Sequence, residues 1–256
     1  MRRARTSLLL LGLAATLLVS PTAVFADLFE PAALLSGTAS EQAIDARDPA
    51  VSSDGRFVAF DGDYGGLTGV WRRAVGTGVI EAVAVGAPST PQGSAVLPSI
   101  SADGRYVSFT TTARLDPVDD TNTGPDVYVR DMSNPQSELC QGQSEACAYT
   151  LASAGDGSSV GLSYSYGSNP LVEEPAYGSI AGGRSALSAD GQQVAFVTTA
   201  ISDLAGSGTP ALQVAVRDIP RQTTQLISVR YDPAGDGPAV DPATGRPEPV
   251  AAQEGT

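Results

Sequence analysis

The chain has 256 residues, with 28 Asp and Glu against 15 Lys and Arg, a formal net charge of −13, and no histidine. An acidic surface repels phosphate backbones, which argues against nucleic acid as a partner. Without histidine the chain cannot assemble a Ser-His-Asp triad.

Residues 1–26 have the pattern of a secretory signal peptide: arginines at positions 2, 3 and 5, an apolar run from Leu8 to Val19, and a small-residue site at Val24-Phe25-Ala26. The alternative is an uncleaved anchor, but this run is short for a span of about 20 residues. We therefore expect a secreted, periplasmic or cell-envelope protein with no stable membrane span after cleavage.

Three Asp-Gly pairs follow, each between short apolar segments. They are Asp54-Gly55 in VSSDGRFVAF (51–60), Asp103-Gly104 in SISADGRYVSF (99–109) and Asp190-Gly191 in ALSADGQQVAF (186–196). Asp-Gly in this setting predicts a tight β-hairpin, with the aspartate side chain capping local backbone amides. We call these three the DG turns.

Each DG turn is followed by a polar loop, then a valine-rich strand (GVWRRAV 69–75, DVYVRDM 126–132, LQVAVRDI 212–219), then a closing strand (GVIEAVAV 78–85, AYTLASA 148–154, TQLISVR 224–230). The equivalent loops span 61–69, 115–126 and 200–210. Four antiparallel strands repeated in this way predict an all-β fold of β-propeller blades at about 48–86, 97–155 and 185–231, within a domain at 27–231.

The alternation in these strands predicts which side chains share a face. It places Val51 with Phe57 and Ala59, and Ile100 with Tyr106 and Ser108, leaving Val58, Phe60, Val107 and Phe109 for the opposite faces. Both faces are rich in apolar residues, which is typical of sheets packed between neighbouring blades.

The segments DPAVSSDGRFVAF (48–60), LPSISADGRYVSF (97–109) and SALSADGQQVAF (185–196) resemble the TolB-like propeller repeat, also called the PD40 repeat, a relative of WD40 repeats. The third copy departs from the pattern at Ala186 and Gln192, where the first two have Pro and Arg. The resemblance implies a binding or scaffold module with protein partners in the periplasm or envelope, or a propeller attached to an enzyme domain.

The ends of the repeat region predict an incomplete ring. PAALLSG (31–37) stands where the outer strand of a preceding blade would lie, and residues 232–256 read as a Pro/Gly-rich disordered tail or inter-blade spacer. Three blades cannot close a propeller, so we expect an open arc that self-associates through its edges or is unstable alone. Whether the chain is a fragment of a longer propeller stays open.

The loop LDPVDDTNTGPD (115–126) concentrates oxygen ligands of the kind calcium binds: Asp116, Asp119, Asp120, Asn122 and Asp126. Its spacing is not that of an EF-hand, and an ordinary solvated loop is the alternative. No other cofactor is expected. We call residues 115–126 the acidic loop.

Cys140 and Cys147 are separated by six residues in a chain with an export signal, which predicts one local disulfide. Two thiols with no histidine or further cysteine make a metal site the weaker alternative. The nearby segment with Tyr164, Tyr166 and Tyr177 is rich in Ser, Gly and Asn and has the composition of a recognition loop or of a flexible spacer.

Two patterns could indicate catalysis. GSSVG (157–161) fits G-x-S-x-G around Ser159, but no helix follows it and no histidine is present to act as base. Paired carboxylates could serve a lyase or glycosidase, although Asp131 and Asp218, each following an arginine, suggest structural ion pairs. We expect a non-enzymatic binding module; a propeller-type enzyme, or the propeller part of a larger hydrolase, is the alternative.

Overall fold

A computed structural model describes residues 45–87, 90, 95–134, 147–162, 187–198, 204, 213–229, 231–232 and 237–238. All of them belong to one compact unit, Leu34–Thr256. The predicted signal peptide, the stretch 31–37, Cys140, the three tyrosines of the recognition loop and most of the tail lie outside the described residues.

The described elements are β-strands. The first sheet contains β1 (Ala46–Val51), β2 (Phe57–Tyr64), β3 (Leu67–Ala74) and β4 (Ile80–Gly86), and the second contains β5 (Val96–Ile100), β6 (Tyr106–Thr111), β7 (Asp126–Asp131) and β8 (Tyr149–Leu151). The third contains β9 (Gln193–Thr198), β10 (Gln213–Asp218) and β11 (Thr223–Leu226). All pairings within these sheets are antiparallel between consecutive strands, as the hairpin pattern predicts.

The third sheet has three strands where the sequence predicted four. Leu187 nevertheless bridges to Val194, just as Val51 pairs with Val58 and Ile100 with Val107 in the first two sheets. Leu187 therefore occupies the place of the first strand. A further short pair, β12 (Tyr231–Asp232) with β13 (Gly237–Pro238), forms in a region where the sequence predicted no strand.

Each DG turn is built by the same hydrogen bonds. In the first turn Asp54 Oδ1 accepts from the Arg56 N–H and from the Ser52 hydroxyl, and Ser52 Oγ accepts from the Phe57 N–H. The same bonds recur around Asp103 and Asp190. The predicted capping role of the aspartates is confirmed, and the following glycines take left-handed φ values of 69°, 77° and 73°.

The predicted polar loop at 61–69 is wrong. β2 and β3 pair without interruption from Phe57↔Ala74 to Tyr64↔Leu67, and only Gly65 and Gly66 form the turn. Both have positive φ, 62° and 81°, which two adjacent glycines adopt at no steric cost in a two-residue hairpin turn. The polar residues of this stretch lie in the strands.

The predicted face assignment is wrong by one residue in the first strand of the first and second sheets. Val51 lies opposite Val58, and Ile100 lies opposite Val107, so each shares a face with a residue that the alternation assigns to the opposite side. Directly opposed residues of an antiparallel pair point to the same face. The five-residue connection from residue 52 to residue 56 sets this register, and alternation within single strands does not reveal it.

The sheets pack face to face in chain order. One apolar cluster joins the first and second sheets and includes Ala59, Val70, Val107, Phe109 and Tyr128. A second cluster joins the second and third sheets and includes Val127, Val129, Val194, Phe196 and Ala215. The middle sheet is thus covered on both faces, and the three sheets are consecutive blades of a β-propeller.

One buried arginine near the end of β7 and another near the end of β10 each donate hydrogen bonds to the chain of the preceding blade. Arg130 Nη1 donates to the Val83 carbonyl of the first sheet at 2.9 Å, and Arg217 Nη1 donates to the Gly155 carbonyl beyond the second sheet at 2.9 Å. The neighbouring aspartates form the predicted ion pairs, but with other arginines: Asp131 with Arg105, and Asp218 with Arg221.

No helix long and apolar enough to cross a membrane occurs within the described ranges.

Candidate functional site

The acidic loop is the densest group of functional side chains in the described residues. It connects β6 to β7 and turns its aspartates inward: Asp116, Asp119, Asp120 and Asp126 are all buried. The solvated-loop alternative is therefore wrong for these four residues.

Two of these buried carboxyl groups accept hydrogen bonds from neutral side chains. The Tyr128 hydroxyl donates to Asp120 Oδ2 at 2.7 Å, and the Ser153 hydroxyl and the Asn122 amide each donate to one oxygen of Asp126. These donors offset part of the cost of removing carboxyl groups from water.

The buried carboxyl groups have raised pKa values. Burial, with the nearby charge of Asp120, raises the pKa of Asp126 to about 7, although Ser153 and Asn122 act in the opposite direction. Burial likewise raises the pKa of Asp120. One oxygen of Asp120 is buried without a hydrogen-bond partner, which disfavours its ionised form. At neutral pH the Asp126 carboxyl is therefore partly protonated.

The acidic loop is also the predicted site for calcium. Among the described residues, no group of three or more Asp, Glu, Cys or His side chains is arranged to hold a metal ion. Four of the five predicted ligands have side chains that hydrogen-bond to neutral donors or to the loop itself: Asp116, Asp120, Asn122 and Asp126. Calcium binding here stays a prediction.

The acidic loop also holds the chain that leaves the second sheet. The Asp119 carbonyl accepts from the Gly161 N–H at 2.9 Å, and Asn122 Nδ2 donates to the Leu162 carbonyl at 3.3 Å. Leu162 is buried, and residues 163–186, which contain the tyrosines of the predicted recognition loop, begin directly after it. The base of that segment is thus fixed to the acidic loop.

Exposed residues lie at the same end of the blades as the acidic loop. Val118, at the tip of the acidic loop, is 54% exposed, and Leu67, beside the β2–β3 turn of the first sheet, is 39% exposed. Asp63 is exposed in the same hairpin. Because β2–β3 and β6–β7 are equivalent hairpins of adjacent blades, these residues lie at the same end of the blades, opposite the DG turns.

Sequence reasoning missed Tyr128, Ser153 and Leu162 as parts of this site. Tyr128 and Ser153 read as ordinary strand residues, and nothing local shows that Leu162 returns to a loop 40 residues earlier. Only the packing of β6, β7 and β8 brings them together.

The hydrolase pattern does not form. Ser159 lies in a bend between Ala154 and Gly161, which bridge to each other, and the Ser158 N–H donates to the Gly155 carbonyl. A nucleophile elbow requires a strand before the serine and a helix after it. The predicted disulfide stays a prediction, because Cys140 lies outside the described residues.

Sheets of this kind, packed face to face in chain order, are the blades of a β-propeller. Among solved structures, the chain is similar to a protein described as TolB from Agrobacterium tumefaciens (14% identity, TM-score 0.40, covering 77% of this chain and 50% of that one). It is also similar to TolB from Acinetobacter baumannii (18%, 0.29, 77% and 45%) and to the β-propeller domain of the Trilobed protease from Pyrococcus furiosus (11%, 0.38, 72% and 41%).

The chain spans half or less of the length of each of these structures. At such identities the likeness concerns the fold alone, and no activity follows from it. No protein-family model and no curated protein matches the chain.

Proposed function

We propose that this chain is an exported propeller binding or scaffold module whose protein-binding surface is the end of the blades that carries the acidic loop. The observation that carries the proposal is the attachment of Gly161 and Leu162 to Asp119 and Asn122. A rigid support that fixes the base of a Tyr/Ser/Gly-rich segment is the arrangement of a recognition loop.

The surface around that base is suited to a protein partner. Val118 and Leu67 supply exposed apolar area beside the exposed carboxylate of Asp63. Apolar area with a charged rim is typical of transient protein interfaces. The negative charge favours a partner with basic residues and disfavours nucleic acid.

The opposite end of the blades has a different character. Its charged side chains are engaged in bonds within the fold: Asp54, Asp103 and Asp190 cap the DG turns, and Arg105 pairs with Asp131. We therefore assign binding to the acidic-loop end.

Site-specific photo-crosslinking tests this assignment. A photoreactive residue at Val118 should give an adduct with an envelope or secreted protein in the cells that make the chain, and the same group at Arg56, in a DG turn, should not. Adducts from Arg56 only, or from neither position, would reject the proposed surface.

An enzymatic role is the second candidate, and the pKa of Asp126 favours it. A buried carboxyl with a pKa of about 7 has the protonation behaviour of a general acid in a lyase or glycosidase. Asp126 is, however, only 1% exposed and engaged by Ser153 and Asn122. Turnover of any glycan or polyuronate that is lost in Asp126→Asn and kept in Asp63→Asn would favour the enzyme over the binding module.

A further inference from the structure

One face of the first sheet is buried although no second sheet is described against it. Val58, Phe60 and Trp71 are 6%, 3% and 4% exposed. Within the part of the chain that the structure describes, every member of their cluster belongs to the first sheet itself. A sheet cannot bury its own face, so another segment must cover this one.

The strand register shows what kind of segment belongs there. Phe60 lies opposite Trp71, as Phe109 lies opposite Tyr128 in the second sheet and Phe196 lies opposite Ala215 in the third. In both of those sheets this pair faces the preceding sheet. The Trp71 face therefore corresponds to the face that packs on the preceding sheet in the second and third sheets.

The second sheet shows the form of that contact. β4, the outer strand of the first sheet, places Val83 and Ala84 in the cluster that contains Tyr128, and the Val83 carbonyl accepts from Arg130. Nine residues, 87–95, then connect β4 to β5. A segment that covers Trp71 should be apolar, extended, and separated from β1 by a similar length of chain.

We infer that Leu34–Gly37 is this segment and that Leu34 and Leu35 rest on Trp71 as Val83 and Ala84 rest on Tyr128. Eight residues, 38–45, separate Gly37 from β1. The chain enters β1 at the end of the sheet opposite the DG turn, where the Asp45 carbonyl accepts from the Asp63 N–H, and β4 ends and β5 begins at the same end. The Trp71 face is thus closed from within the chain, independently of the proposed binding role at the other surface.

Trp71 is the only tryptophan of the chain, so intrinsic fluorescence of the full chain reports on this face alone. The double variant Leu34→Asp/Leu35→Asp should shift the Trp71 emission to the red and raise its quenching by acrylamide several-fold, with the far-UV circular dichroism of the sheets retained. The matched control Val240→Asp/Val250→Asp, in the predicted tail, should leave both signals unchanged.

A spin label tests the same contact while only one of the two leucines is changed. In a background with Cys140 and Cys147 changed to serine, a nitroxide on Leu34→Cys should quench Trp71, and the same label on Val250→Cys should not. Exposure of Trp71 by the tail variant, quenching from the tail label only, or exposure of Trp71 on dilution of the unmodified chain would overturn the inference in favour of the tail or of a second copy.

Discussion

Gly104 lies directly against the ring of Phe57, so that a Cβ at residue 104 would be 2.3 Å from Phe57 Cδ2. Gly191 has the same relationship to Tyr106 in the next pair of sheets, also at 2.3 Å. The second and third DG turns are therefore both hairpin turns and contact sites for an aromatic residue of the preceding blade. Gly55, in the first turn, has no atom within 4 Å of such a Cβ.

Substitution of these glycines should separate the two roles. Gly55→Ala should lower the free energy of unfolding by about 1 kcal/mol, because it places an L-residue at φ 69°. Gly104→Ala has the same backbone effect and must also displace Phe57, so we expect a further loss of about 1–3 kcal/mol in the free energy of unfolding. Urea unfolding of the two variants measures the difference. Equal losses would show that the contact with Phe57 contributes nothing.

Arg130 should stabilise the contact between the first and second sheets. It is buried, donates to the Val83 carbonyl and to the Tyr149 hydroxyl, and stacks 5.0 Å from the Tyr149 ring centroid. Arg130→Met should lower the free energy of unfolding by about 2–4 kcal/mol. Arg105→Met, which removes a more exposed ion pair, should cost less than about 1 kcal/mol. A larger loss in the Arg105 variant would contradict this ranking.

Asp126 should make the chain more stable as the pH falls from neutral towards 4. Its pKa is about 7 in the folded chain, above the ordinary value of 3.8, so between these values the folded state binds more protons than the unfolded state. Asp61, whose pKa burial and Asp48 raise to about 6, acts in the same direction. This stabilisation is complete below about pH 4 and is lost as the pH rises through about 7.

Chemical unfolding at several pH values measures this slope. Asp126→Asn should flatten it by up to about 4 kcal/mol between pH 4 and 7, and the exposed control Asp63→Asn should keep it. Below about pH 4 stability should fall again, because hydrogen bonds from the Arg56 backbone, Ser52 and the Arg56 side chain lower the pKa of Asp54 to about 2. An unchanged slope in Asp126→Asn would refute the assignment.

Self-association through the third sheet stays a prediction, and the structure names the residues that would carry it. Val214 and Ile227 are 40% and 52% exposed on the face turned away from the second sheet. Val214→Asp/Ile227→Asp should lower the mass seen by light scattering at micromolar concentration, and Val79→Asp should not. A monodisperse monomer of the unmodified chain would show that this face needs no partner.

The repeat architecture could be predicted from the sequence because each DG turn is formed by interactions between neighbouring residues. The side chains of Ser52 and Asp54 make their hydrogen bonds within residues 52–57, so three copies of the pattern predict three hairpins. The strand faces were harder, because register depends on how the chain crosses the turn and not on alternation alone. The two-residue turn at Gly65-Gly66 was also missed, because the polar residues of the paired strands around it have the composition of a loop.

The composition of the sequence predicts where the acidic loop lies, but it does not predict that the aspartates of the loop are buried. The buried Asp126 carboxyl accepts a hydrogen bond from Ser153, 27 residues away, and the anchoring of Leu162 depends on Asn122, 40 residues away. Such long-range contacts have no signature in a single sequence. The same holds for Arg130, which looked like a partner for Asp131 and instead bonds to Val83 of the preceding sheet.

The binding surface is tested most directly by the affinity of the chain for the partner captured through Val118, measured by calorimetry with Val118→Asp and Val75→Asp. Both valines are exposed, but Val75 lies at the DG-turn end of the first sheet. We expect Val118→Asp to weaken binding by about tenfold or more, equivalent to about 1.4 kcal/mol, and Val75→Asp to leave the dissociation constant unchanged. Weakening by Val75→Asp with no effect of Val118→Asp would contradict the account.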